Sequence, residues 1–207
     1  MIYDAADKAI RDMNRANLKA FGRLKLAKWD EISIIRQVSQ VYDTSSALAR
    51  RKYAEIARAA FIAALIETGL NAIVASGMAA DEITTDWLLD MLEEADQVTL
   101  YIFTEETERK KQRLIEALAA AQNKNAEIDR ALRYWTKQIV QYAINVTDAA
   151  RLDAFKAVGV KRVMWNTNLD GRECDRCRAL NGKIFPIDNV PPKQHWGDRC
   201  WLTAVLD

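Results

Sequence analysis

Near its end the chain reads Cys174-Asp175-Arg176-Cys177 and, after 17 intervening residues, His195-Trp196-Gly197-Asp198-Arg199-Cys200. These two stretches hold all three cysteines and the only histidine of the 207 residues. Three thiolates and one imidazole are a usual ligand set for structural zinc. A Cys-x-x-Cys turn aims two sulfurs at one ion from a tight knuckle. A second pair arriving from a separate loop closes the tetrahedron, with Zn–S near 2.3 Å as a rough guide. Cys174, Cys177, His195 and Cys200 are therefore the candidate ligands of one structural zinc. Two other readings compete. A redox Cys174–Cys177 pair would want a βαβ setting, which the flanking sequence lacks. Unconnected thiols with a surface His195 would leave the clustering unexplained.

Working outward, the residues around the cysteines change character from those before them. Val160, Arg162, Met164 and Asn166 alternate with Lys161, Val163, Trp165 and Thr167, which predicts a strand buried on both faces at Val163–Trp165. Asn168–Gly171 reads as a turn, and Lys183-Ile184-Phe185 as a second short strand ended by Pro186. Few large aliphatic residues are available here, so a core of this size is marginal alone and zinc would fix its fold.

Upstream the chain reads as helix. Pro186, Pro191 and Pro192 are its only prolines, so nothing in the first 185 residues forbids long helices on that ground. Residues 2–43 read as one or two helices, with Leu18, Phe21, Leu24, Leu26 and Trp29 at mixed helical spacings and a break near Gly22. Thr44, Ser45 and Ser46 offer caps for the next helix, where Tyr53, Ile56, Ala57, Ala60, Phe61, Ala64 and Leu65 recur at three and four. Thr84-Thr85-Asp86 caps a short helix. A helix over 98–121 has an almost wholly polar middle with Glu105–Arg109 and Glu106–Lys110 pairs, which suggests that it projects into solvent or lies on a partner. After a turn at Asn123–Asn125, Ile128, Leu132, Trp135, Ile139 and Tyr142 mark another helix. A further one starts at Thr147-Asp148 and stops at Gly159. The expected architecture is mainly α: an elongated multi-helix body over residues 1–146, then a small α+β zinc-stabilised domain over 147–207.

Net charge is +1, so no global field points to nucleic acid or membrane. Locally, residues 1–60 carry 12 basic and 7 acidic groups, residues 61–120 carry 4 and 12, and residues 121–207 carry 14 and 10. The longest apolar stretch, around Ala59–Ile66, falls short of the ~20 residues a membrane helix needs. No basic region followed by an apolar run opens the chain, so a cytoplasmically made protein is expected. Enzyme chemistry is not expected. Four ready ligands leave a zinc ion no open position, and neither His-x-Glu nor His-Glu-x-x-His occurs. A zinc hydrolase using Asp198 is the weakest alternative, and a small-molecule substrate is not implied.

The stretch Gly159–Leu202 resembles the C-terminal domain of phage head morphogenesis proteins, the minor capsid proteins of the phage Mu F-like family. The resemblance rests on Gly159-Val160, Trp165-Asn166-Thr167, Asp170-Gly171-Arg172, Cys174-x-x-Cys177, Leu180-x-Gly182, Phe185, Pro191-Pro192-x-x-His195 and Arg199-Cys200. The family often closes with His-Pro-x-Cys-Arg-Cys. Here Asp198 stands at the first of those cysteines and Cys200 at the second, so the fourth ligand is Cys200 or Asp198; a sulfur-rich site favours Cys200. The resemblance implies a virion protein of low copy number, near the portal in the phage head and assembled in the host cytoplasm. Its implied partners are the portal protein or the major capsid protein, with phage DNA as a further one. A zinc-containing DNA-binding module is the runner-up, because Lys161, Arg162, Arg172, Arg176, Arg178, Lys183, Lys193 and Arg199 surround the site. Trp165, Trp196 and Trp201 are candidates either for interface contacts or for the small core.

Overall fold

Two helices much longer than the rest set the architecture. A computed structural model describes residues 3–25, 30–93, 102–168 and 173–206. Helix α1 (Asp4–Leu24) leads to α2 (Glu31–Glu67), and short helices α3 (Ala72–Glu82) and α4 (Thr85–Glu93) follow. Then come α5 (Phe103–Ala120) and α6 (Lys124–Ala157). The remainder holds β1 (Arg162–Asn166), α7 (Asp175–Leu180), β2 (Ile184–Pro186) and β3 (Trp201–Val205). At 37 and 34 residues, α2 and α6 are each roughly 50–55 Å long at 1.5 Å per residue.

Side-chain contacts give the directions. Tyr42 meets Trp135, the Tyr53 hydroxyl donates to the Ile139 carbonyl, and Glu67 pairs with Arg151, so α2 and α6 run parallel. Lys25 pairs with Asp129 while Tyr3 reaches Asp148, so α1 runs antiparallel to α6. Arg50 bonds Thr104 and Lys111 lies 3.8 Å from Asp43, so α5 is antiparallel to α2. The α2–α6 pair is thus flanked by α1 and α5. Phe21, Tyr42, Trp135, Phe103, Tyr53 and Tyr142 join edge to face or tilted across all four helices, with centroids 5.1–6.4 Å apart. Such aromatic pairs add to the burial of their large surfaces.

Several sequence expectations are corrected. Thr44, Ser45 and Ser46 cap nothing: α2 runs through them and is capped by Asp30, whose carboxylate accepts from Ser33 N at 2.9 Å. No new helix starts at Thr147, because α6 is continuous from Lys124 to Ala157. The Thr147 hydroxyl instead donates to the Ala143 carbonyl of the preceding turn at 2.7 Å, a use of threonine inside helices that competes with capping. Helix α6 thus runs across positions 146 and 147 and belongs to both parts of the expected division. The helix expected from 98 begins, among the described residues, at Phe103, and its polar middle faces solvent at Glu105, Glu108, Arg109, Gln112 and Arg113 but is buried at Glu106 and Thr107. Glu106 is only 3% exposed and accepts from Arg109 and from the Tyr134 hydroxyl, while Lys110 lies over the Tyr134 ring. Arg109 thus engages Glu106 rather than Glu105. Leu26, Trp29 and Asp170-Gly171-Arg172 lie outside the described residues.

Gly159 does end α6. Its φ of 77° is the left-handed conformation that side chains resist, and Val160 N returns to the Phe155 carbonyl at 3.0 Å. The chain turns there into β1, the central strand of an antiparallel sheet ordered β2-β1-β3. Val163 pairs with Phe185 on one side and Ala204 on the other. Val163 and Trp165 are buried on one face while Met164 between them is half-buried, so β1 is buried fully on one face only and not on both as expected. The sequence reading anticipated β1 and β2, but neither β3 nor α7. Arg151 of α6 and Glu67 of α2 both reach β3, through the Leu202 carbonyl and Ala204 N. The sheet therefore sits at the end of the bundle where α1 begins and α2 and α6 finish.

Candidate metal centre

Cys174 is the N-cap of α7, and its sulfur accepts from Cys177 N at 3.4 Å. One turn of helix brings Cys177 back beside it, with Sγ atoms 3.3 Å apart. His195 and Asp198 come from the loop after β2, and Cys200 immediately precedes β3. Gly197, at φ 77°, bends that loop so that Asp198 N donates to the His195 carbonyl at 3.1 Å. The Gln141 amide oxygen of α6 accepts from Gly197 N at 2.6 Å and fixes the loop on the bundle.

Cys177 Sγ is the centre of the cluster. It lies 3.5 Å from His195 Nε2 and 3.4 Å from Asp198 Oδ2. Cys174, Cys177 and His195 form one group with ligand atoms within 4.8 Å of one another, and Cys177, Asp198 and Cys200 form a second. In a tetrahedral zinc shell, neighbouring ligand atoms sit about 3.5–3.8 Å apart, from the usual Zn–S and Zn–N lengths. The observed spacings are of that size, and the groups are close enough to hold a metal ion. The four residues expected from sequence are thus brought around one thiol, and Asp198 joins them as a fifth donor.

His195 presents the correct face. Its Nδ1 is 3.0 Å from the Trp196 carbonyl, which can only accept, so Nδ1 carries the proton and the Nε2 lone pair faces the sulfurs. Metal-bound histidines are oriented by this kind of outer hydrogen bond. Asp198 is 1% exposed. Its carboxylate accepts from Gln194 N at 2.9 Å and Cys200 N at 2.8 Å. Burial works against its charge, yet the Cys200 thiol, these amides and Lys193 outweigh that and hold its pKa below the usual value. Burial pushes the Cys177 thiol up, and Cys200 likewise, with Asp198 adding to the rise there. Cys174 is shifted down by the hydrogen bonds from Cys177. A dication at the centre reverses this balance by favouring thiolates.

Much of the surrounding positive charge is already paired. Lys193 pairs with Asp148 at 3.0 Å, Arg199 with Asp7 at 3.0 Å, and Arg178 with Glu173 and Asp175. The Lys193 ammonium also donates to the Cys200 carbonyl, and the Tyr3 hydroxyl lies 2.9 Å from both that oxygen and Asp148. Trp165 is a core residue, Trp201 is half-buried and Trp196 is exposed.

Residues 104–203 match the sequence model of the family described as Phage Mu protein F like protein. This part of the chain is thus similar to the Phage Mu F-like family. The Mu F-like match is longer than the stretch that carries the resemblance in sequence, because it takes in nearly all of α5 and the whole of α6 before the cysteine cluster. The polar helix α5 therefore falls almost wholly within the matched segment. No curated protein and no solved structure matches the chain. Among the described residues no helix is long and apolar enough to cross a membrane.

Proposed function

We propose that the chain is a minor head protein of a phage, present in the virion near the portal, which docks on portal or capsid subunits and assists head assembly or DNA packaging and delivery. The observation that carries this reading is the Mu F-like match over residues 104–203. In it, Cys174, Cys177, His195 and Cys200 hold one structural zinc. Cys200 is preferred over Asp198 as fourth ligand because thiolate suits zinc in a sulfur-rich site, and because two backbone amides already occupy the Asp198 carboxylate. Zinc supplies cross-linking here rather than chemistry: a site closed by four protein ligands leaves no position for water or substrate. The chain's own part is to aim His195 through Trp196, and to tie the metal loop to α6 through Gln141 and to α1 through Tyr3 and Asp7. The functional division stays that of a helical body over 1–146 and a metal-bearing unit over 147–207, joined by α6.

The test is incorporation into purified heads, comparing wild type with Cys174→Ser and His195→Ala. Wild-type chain in washed heads, with both variants losing zinc and incorporation together, is the expected result. Absence of wild-type chain from heads would overturn the head-protein reading. Normal incorporation of zinc-free variants would overturn the role given to the metal.

A further inference from the structure

One face of α1 carries a row of cations that the metal centre and the bundle do not use. Lys8, Arg11, Arg15, Lys19 and Arg23 follow one another at steps of three or four residues and are all exposed, so they share the side of the helix opposite its buried residues Ala6, Ala9, Met13, Asn17, Phe21 and Leu24. Among the described residues none of the five has an ion-pair or hydrogen-bond partner. That sets them apart from Lys25, Lys193 and Arg199, which pair with Asp129, Asp148 and Asp7 at the edges of the same helix or near its start. Asp7 is thereby already neutralised. Asp4 and Asp12 are the remaining acids of α1, which leaves the face cationic.

We infer that this face of α1 binds the phosphate backbone of double-stranded nucleic acid without regard to sequence. The cations are about 5–6 Å apart along the axis and span about 22 Å, at 1.5 Å per residue. One strand of a duplex presents about six phosphates over that length. An acidic protein is the competing partner, but a protein interface of useful affinity has a desolvated apolar or aromatic centre. Here Leu18 is the one large exposed apolar residue of α1, and no aromatic residue is exposed on the helix. A row of charges with no apolar centre suits a ligand that is itself a row of charges. This differs from a nucleic-acid role for the metal module, whose Arg178, Lys193 and Arg199 are engaged by carboxylates. It deepens the DNA-handling part of the head-protein reading by giving it a contact surface, and it does not depend on the metal.

The experiment is fluorescence anisotropy of full-length protein with a labelled 30-bp duplex of arbitrary sequence, between 50 and 200 mM NaCl. Five phosphate contacts give a slope of log K against log salt near −4.5, hence roughly a 500-fold loss of affinity across that range. In Arg11→Gln/Arg15→Gln/Lys19→Gln the slope is expected to become shallower by about 2.7, with far-UV circular dichroism unchanged, since glutamine is a good helix former. Arg176→Gln/Arg178→Gln/Lys183→Gln, near the metal centre, is expected to bind like wild type. No binding of the duplex by wild type at 50 mM NaCl overturns the inference. So does an unchanged slope in the α1 variant, or a loss found in the metal-centre variant instead.

Discussion

Glu67→Ala and Arg151→Met break the same ion pair, yet they should differ in cost. The Arg151 side chain is 3% exposed, Glu67 is 31% exposed, and Nη2 lies 2.6 Å from Oε2. Arg151 also donates to the Leu202 carbonyl at 3.0 Å, and Ala204 N donates to Glu67 at 3.3 Å. Removing the carboxylate leaves a buried guanidinium with one carbonyl partner. Stranding a fully buried charge costs about 3–5 kcal/mol, and because solvent reaches Glu67 we expect about 2–3 kcal/mol here. Removing the arginine strands only a partly hydrated carboxylate and keeps an apolar stem of similar length over Phe155, so its cost should be about 1 kcal/mol. The double variant should cost little more than Arg151→Met alone, because no buried charge remains. Urea denaturation of the four proteins measures the cycle, and hydrogen exchange should show β3 losing protection first in Glu67→Ala. Equal costs for the two single variants, or simple additivity in the double, would refute the reasoning.

Three further outcomes follow from the same structure. Trp135→Ala removes the residue at which Tyr42 and Phe103 meet and should lower stability by about 3–5 kcal/mol in urea denaturation. Gly159→Ala places a Cβ at φ 77° with no atom within 4 Å of it, so backbone strain alone should cost about 1–2 kcal/mol, read as a lower thermal midpoint. Asp198→Asn sets an NH2 group against either Gln194 N or Cys200 N, which now donate to separate oxygens, so it should loosen the loop yet retain the metal, whereas Cys200→Ser should lose it; zinc analysis of the two variants separates the candidate fourth ligands.

What the sequence disclosed depended on how local the deciding interaction was. The spacing of Ile128, Leu132, Trp135, Ile139 and Tyr142 marks α6 because burial at the helical period is written in consecutive turns. Helix ends were legible where a special backbone conformation demanded a residue, as at Gly159, or where a hydroxyl caps, as Thr84 does for Trp87 N at 3.1 Å. They were misread at Thr44–Ser46 and at Thr147, because hydroxyl residues serve equally inside a helix whose length is set by packing against another helix. Helix α7 is six residues long, too short to show a period, and its start is set by a cysteine that also reads as a ligand. The burial of Glu106 within the polar middle of α5 was not legible because its partners lie on two elements and include Tyr134, 28 residues away.

The cluster itself was legible from cysteine spacing, because Cys-x-x-Cys constrains two sulfurs within one turn. The burial of Asp198, itself a candidate ligand in the sequence, was not, because it comes from loop residues folding onto Gln141, which lies 56 residues before Gly197. The row of cations on α1 was visible only as a basic surplus over residues 1–60. It became a feature when the ion pairs of the neighbouring cations set it apart.

The most direct test of the central claim is elemental analysis of the purified full-length protein beside Cys174→Ser and His195→Ala. The account predicts about one zinc per wild-type chain and loss of that zinc in both variants, together with the order of the segment from Cys174 to Cys200. A folded wild-type protein that binds no zinc when supplied with it would contradict the account.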